Sequence, residues 1–163
     1  MKKLLVIALC LCLASVAALA AVKANFSGSW TMDKSRNEGV PPDMEQTMTV
    51  TQQGDSVSVE TKIITDQGDQ MIASAYVLDG KEAEYPVSRA MGEGKGKRTA
   101  KWTADGNGFE VTEEEKVDTP NGQVTLKFAR KWAMAADGKS LTIELDVASP
   151  TGKQHSKRIF VKK

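Results

Sequence analysis

Residues 123–134, QVTLKFARKWAM, constrain the fold more than any other stretch. Val124, Leu126, Phe128, Arg130, Trp132 and Met134 alternate with Thr125, Lys127, Ala129, Lys131 and Ala133. A period of two is the mark of a strand with one buried face, because successive side chains point to opposite sides. Arg130 interrupts the apolar face. A guanidinium taken out of water has to be paired or wetted, so this residue says something about the interior it faces.

The rest of the chain reads the same way. From Phe26 onward short alternating runs are punctuated by Gly, Asp and Asn. Strands are expected near 26–32, 44–53, 56–65, 70–78, 81–87, 97–104, 109–118, 123–136, 139–148 and 154–162. Many short strands separated by turn signals give a sandwich or a barrel. Gly54-Asp55, Asp79-Gly80, Gly106-Asn107 and Asp137-Gly138 have the residue types of two-residue hairpin loops. Gln67-Gly68 is read likewise, and Thr119-Pro120-Asn121-Gly122 as a type I turn.

These turns set registers that can be checked against one another. Asp137-Gly138 places Trp132 opposite Ile143, Arg130 opposite Leu145 and Phe128 opposite Val147. The 119–122 turn places Phe109 opposite Trp132, Val111 opposite Arg130 and Glu113 opposite Phe128. It also sets Glu114 against Lys127 and Glu110 against Lys131, the opposite-charge pairing a correct register should give. Gly106-Asn107 places Arg98 opposite Glu115. Gly54-Asp55 sets Val50 against Val59, Gln67-Gly68 sets Ile63 against Ile72, and Asp79-Gly80 sets Tyr76 against Ala83 and Ser74 against Tyr85. Every consecutive pair then forms a hairpin. The expectation is an all-β antiparallel up-and-down meander of 8–10 strands closing into a barrel. Its tight turns gather at one end. At the other lie longer connections, 33–43, 88–96, 119–122 and 149–153, which would frame a mouth.

Stacked in these registers, the interior starts apolar at the tight end and becomes charged toward the mouth. The expected lining is Tyr76, Tyr85, Arg98, Trp102, Glu113, Glu115, Phe128 and Arg130, with Arg98–Glu115 and Glu113–Arg130 as ion pairs. An apolar floor under a polar wall is the usual make-up of a ligand pocket. A filled core with structural ion pairs fits the same pattern. The one-residue ambiguity at Pro150 leaves open whether Arg158 or Ile159 faces inward.

The first twenty residues stand apart. Lys2 and Lys3, an apolar run over 4–19 and the Ala18-Leu19-Ala20 triplet form a secretory signal peptide, with the barrel domain at 21–163. The protein is thus expected outside the cytoplasm, periplasmic or secreted. Both cysteines, Cys10 and Cys12, fall in the leader, so the mature chain has no thiol ligand or disulfide. Without Lys2 and Lys3 the chain has 20 Lys and Arg against 21 Asp and Glu, and no basic stripe invites nucleic acid. The outward face carries Glu110, Glu114, Lys127, Lys131 and Glu144, which argues against a barrel embedded in a membrane.

The opening Asn25-Phe26-Ser27-Gly28-Ser29-Trp30 has the Gly-x-Trp on a first strand that marks lipocalin or calycin barrels. With Asp33-Lys34-Ser35, Asp79-Gly80-Lys81, Tyr85-Pro86-Val87 and residues 137–142, DGKSLT, the chain resembles uncharacterised secreted bacterial lipocalin-like proteins. The resemblance implies a barrel outside the cytoplasm, with Trp30 plugging one end and a late basic residue, Arg158 by position, across its ring. The Thr-Asp-Tyr block and C-terminal helix of true lipocalins are missing.

Other motifs weigh less. Residues 92–97, GEGKGK, lack the phosphate-loop spacing and are read as a mobile mouth loop. His155 is the only histidine, a poor basis for a metal site, so no metal or cofactor is expected. The residues around Asp105 and Asn107 form a turn rather than a calcium loop. Glu113 and Glu115 share one strand face at about 7 Å, loosely a glycosidase spacing, but no accompanying set of groups supports hydrolysis. The sequence therefore reads as a non-enzymatic barrel binding a small apolar or amphipathic molecule. The alternatives are a filled barrel that works through its surface, or a hydrolase using Glu113 or Glu115.

Overall fold

The computed structural model describes residues 22–163. The expected leader, its cleavage point and both cysteines lie outside the described residues. Ten strands follow one another: β1 Gly28–Met32, β2 Glu45–Gln53, β3 Ser56–Thr65, β4 Gly68–Val77, β5 Asp79–Arg89, β6 Gly92–Trp102, β7 Gly108–Thr119, β8 Gly122–Met134, β9 Ser140–Ser149 and β10 Gly152–Lys162. They form one antiparallel sheet in the order β4-β3-β2-β1-β10-β9-β8-β7-β6-β5. Pairing of β1 with β10 curls the meander into a nearly closed barrel. Among the described residues its seam lies between β4 and β5, which carry no ladder between them.

The registers around β8 are those the sequence dictates: Trp132 faces Ile143, Arg130 faces Leu145, and Glu113 faces Phe128. Lys127 meets Glu114 at 3.1 Å on the outer face. Val50 faces Val59 across β2 and β3.

Three registers differ from expectation, each for a local reason. Between β6 and β7, Arg98 faces Glu113 and not Glu115. The loop there is longer than Gly106-Asn107, because Thr103 Oγ1 and Asp105 wind it from 103 to 107 through bonds to Gly108 and Asn107. The slip is two residues, so every side chain keeps its face. Between β3 and β4, Ile63 faces Gln70 rather than Ile72. The turn residues are Asp66 and Gln67, and Gly68 opens β4 at φ +120°, a conformation side chains disfavour. Finally, β4 and β5 are not a hairpin, so Tyr76 does not pair with Ala83, nor Ser74 with Tyr85. Leu78 N–H turns away to Asp55 O (2.8 Å), and the Arg98 guanidinium stands between the Tyr76 and Tyr85 rings, 4.8 and 4.3 Å from their centroids. A ring–cation–ring stack does not fit within the 4.7–4.9 Å spacing of paired strands.

Residues 92–97 are strand, not a mobile loop. Gly94 and Gly96 face inward, and Tyr85 opposite Gly96 lays its ring where a side chain would stand, 2.4 Å from an added Cβ. The connection 88–96 is therefore the tight turn Ala90-Met91. The connection 149–153 is equally tight, with Ser149 facing Gly152. The 33–43 segment is the long connection that remains; it carries a short 3-10 helix, Lys34–Arg36, and bridges to β10 at Glu38 and Lys157.

The expected division into a tight end and a loop end does not hold: two-residue turns at 66–67, 90–91, 120–121 and 150–151 close the expected mouth, beside the 33–43 connection. The core fills the opposite end, which carries the 103–107 and 135–139 loops. Phe26, Trp30, Phe109, Leu141 and Phe160 are fully buried. Phe109 stacks on Trp132 (4.9 Å) and meets Phe26 edge-on (5.0 Å). Trp30 plugs this end, its indole N–H donating to Phe26 O at 3.0 Å. The basic side chain across its ring is Lys162, 5.4 Å from the centroid, and not Arg158. The β1–β10 register sets Trp30 against Lys162, four residues further along the strand.

Candidate functional site

One row above the aromatic floor, the interior turns charged. β7 places Glu113 and Glu115 inward, both nearly fully buried. Glu113 sits between two guanidiniums: Arg98 Nε reaches Oε1 at 2.5 Å and Arg130 Nη1 pairs with Oε2. Glu115 accepts a two-pronged pair from Arg89 (2.6 and 2.9 Å) and the Tyr85 hydroxyl (3.0 Å). Burial and the Glu115 charge push the Tyr85 phenol up to about 12, so it stays a donor. All four carboxylate oxygens accept at least one bond from an arginine or from Tyr85.

The expected ion pairs are thus re-dealt. Glu113–Arg130 forms as read, while Arg98 joins Glu113 and leaves Glu115 to Arg89. Arg89 is missing from the expected lining because 88–96 reads as a loop in the sequence. The alternation of Gly92, Gly94 and Gly96 was the signal that this stretch is a strand with a glycine-lined inner face.

The eight candidates divide by height. Tyr85, Arg98, Glu113, Glu115, Phe128 and Arg130 come together in one network, with Arg89 and Arg130 each over the Phe128 ring at 5.4 and 5.3 Å. Tyr76 is buried in the core beneath Arg98. Trp102 lies lower, in the floor cluster, its indole N–H donating to Asp55 at 2.9 Å at the closed end.

On β10, Arg158 faces inward, opposite Ile143, which resolves the Pro150 ambiguity. Its Nη1 donates to Gln46 Oε1 at 3.1 Å, while its Nε is buried with no acceptor. Burial, and then the nearby Arg130 charge, pull its affinity for the proton down. Trp132 Nε1 is a second buried donor without a partner, on the same cross-strand row.

Toward the mouth the packing loosens along β8 and β9, while Val87 and Val117 stay buried against Gly94 of β6. Leu126, Phe128, Leu145 and Val147 point inward yet stay half-exposed, and Ile72 is 37% exposed across the barrel. Two cavities lie elsewhere in the wall. One of about 860 Å³ rests on the outer face of β6–β10, over Thr112, Ala129 and Ala148, ringed by Lys127–Glu114 and the His155–Asp146 contact (2.8 Å). The other, about 610 Å³, is the seam itself.

No protein-family model matches the chain. No curated protein matches it in sequence. Among solved structures, zebrafish ileal bile acid-binding protein complexed with cholic acid superposes with a TM-score of 0.51 at 15% identity, over 85% of this chain and 98% of that one. The likeness is one of fold. A secretory abundant heat soluble protein of Ramazzottius varieornatus gives 0.49 at 13% identity (88% and 98% covered), and secretory abundant heat soluble protein 4 of that organism 0.49 at 12% (84% and 94%).

Proposed function

We propose that the protein is an extracytoplasmic binding barrel whose half away from the Trp30 plug takes a small amphiphile with an anionic head. The observation that carries this reading is the imbalance of charge inside: among the described residues, the inward Arg89, Arg98, Arg130 and Arg158 are met by two inward carboxylates, Glu113 and Glu115. Four guanidiniums against two carboxylates leave an excess of two positive charges, with Arg98, Arg130 and Arg158 partly buried and Arg89 at the exposed rim. Arg158 and Trp132 also present buried donors that need an acceptor. A carboxylate or sulfonate beside Arg158 and Arg130 would meet both demands, with its apolar tail against Phe128, Leu145 and Val147. Arg98 is already committed to Glu113 and the two tyrosines, so it serves as a strut and not a ligand contact. The zebrafish protein of like fold was solved with cholic acid, an amphiphile of this kind.

The test uses 8-anilinonaphthalene-1-sulfonate as reporter and competes it with decanoate and decanol. Decanoate should displace the dye at least about tenfold more effectively, and Arg158→Met should abolish that preference, since a charge-assisted bond contributes about 1.5–3 kcal/mol. Equal competition by acid and alcohol, or no dye uptake, would remove the reading. The location rests on the leader at 1–20: N-terminal sequencing of exported protein should begin at Ala21, and an intact Met1 outside the cytoplasm would refute the cleavage.

A further inference from the structure

The wall of this barrel is continuous except along β4 and β5, the two ends of the sheet. The cleft between them passes through the wall. Its lining includes outward-facing Ala75 and Val77 of β4 and Glu84 of β5, and also inward-facing Tyr85, Arg98 and Ala100. Arg98 crosses it. Its Nη1 donates to Ala75 O on β4 at 2.7 Å, its Nε holds Glu113 on β7, and its guanidinium lies between Tyr76 of β4 and Tyr85 of β5. Elsewhere adjacent strands are joined by a ladder of backbone bonds; here a single side chain makes the span.

We propose that the β4–β5 seam is the side port by which ligand reaches the interior, and that Arg98 is its latch. This rests on the binding reading above for its purpose, though not for its mechanics. Opening requires one bond to Ala75 O and one cation–ring contact, with Tyr76, to be lost, with no ladder broken; the Tyr85 contact stays on the β5 side. Contacts of that kind contribute about 1 kcal/mol each, within reach of thermal opening, whereas unzipping any other strand pair costs a whole ladder. β4 suits a moving edge: it is exposed along most of its length, with Met71 at 66% and Val77 at 57%. β5 is poor at pairing in its place, because Pro86 lacks a donor and its register with β6 shifts between Asp79 and Glu82.

Two variants separate latch from general scaffold. Arg98→Lys keeps the charge but cannot hold Glu113, reach Ala75 O and fill the ring sandwich together; Arg98→Gln removes the charge while Glu113 retains Arg130. Port opening is read from iodoacetamide alkylation of Ala100→Cys, 2% exposed on the inner wall of the cleft, with Val147→Cys reporting access through the mouth. Peptide mass spectrometry reads each site by itself in the full chain, so Cys10 and Cys12 do not interfere. Both variants should raise alkylation at residue 100 by about tenfold and leave residue 147 within about twofold. No change at residue 100, or an equal rise at both positions, would overturn the latch. With the anilinonaphthalene dye, Arg98→Lys should speed association and dissociation together; unchanged rates alongside faster alkylation would overturn the port while leaving the latch. Absence of dye binding in the parent protein would sink the binding reading, and the side port with it, but leave the alkylation result standing.

Discussion

Replacing Glu113 by leucine should lower the free energy of unfolding by about 3–5 kcal/mol, the cost of stripping the partner from a buried ion pair. Glu113 is 3% exposed in its side chain, with Arg98 and Arg130 at 18% and 23%. Removing the carboxylate leaves both guanidiniums without their anion and raises the interior excess from two charges to three. Urea denaturation should show the loss as a midpoint lower by about 2 M, taking a slope near 2 kcal/mol/M. The double variant Glu113→Leu with Arg130→Met should regain part of it, because Val111 and Leu145 flank Arg130 and accept an apolar chain of similar length. A loss under about 1 kcal/mol for Glu113→Leu would mean that water already screens the cluster, as it does exposed pairs.

The register of β8 with its neighbours was legible because two independent turns, 119–122 and 137–138, agreed on one apolar face. What failed was loop length. Thr103 and Asp105 lengthen their loop through side-chain bonds that no dipeptide signal announces, and the two-residue slip moved Arg98 from Glu115 to Glu113. Parity survived, so the residues called inward still are; partners did not. The Arg158 ambiguity was avoidable. Ser149-Pro150-Thr151-Gly152 repeats the pattern of Thr119-Pro120-Asn121-Gly122, and in both turns the first hydroxyl bonds the glycine carbonyl. Matching one turn to the other would have set Arg158 against Ile143. The seam was beyond reach: Asp79-Gly80 looks like any hairpin turn, and only the folded chain brings Arg98 from β6 between two tyrosines.

Phe109→Ala should be the costliest apolar truncation, about 3–5 kcal/mol, while Phe128→Ala should cost about 1 kcal/mol and yet weaken dye binding the more. Both rings face inward, four residues apart in height. Phe109 has no exposed surface and touches Phe26, Tyr76, Trp102 and Trp132, so its removal leaves a cavity that rigid aromatic neighbours cannot close. Phe128 is half-exposed, its ring faced by Arg89 and Arg130, and its loss removes apolar surface that is already partly wet. A barrel packed throughout would charge similar penalties at both positions. A barrel with a solid floor and an open upper half separates them, so the pair of variants measures where the core ends and the binding space begins. Equal stability losses for the two, with dye binding unaffected by Phe128→Ala, would place the end of the core above Phe128 and leave no chamber at that height.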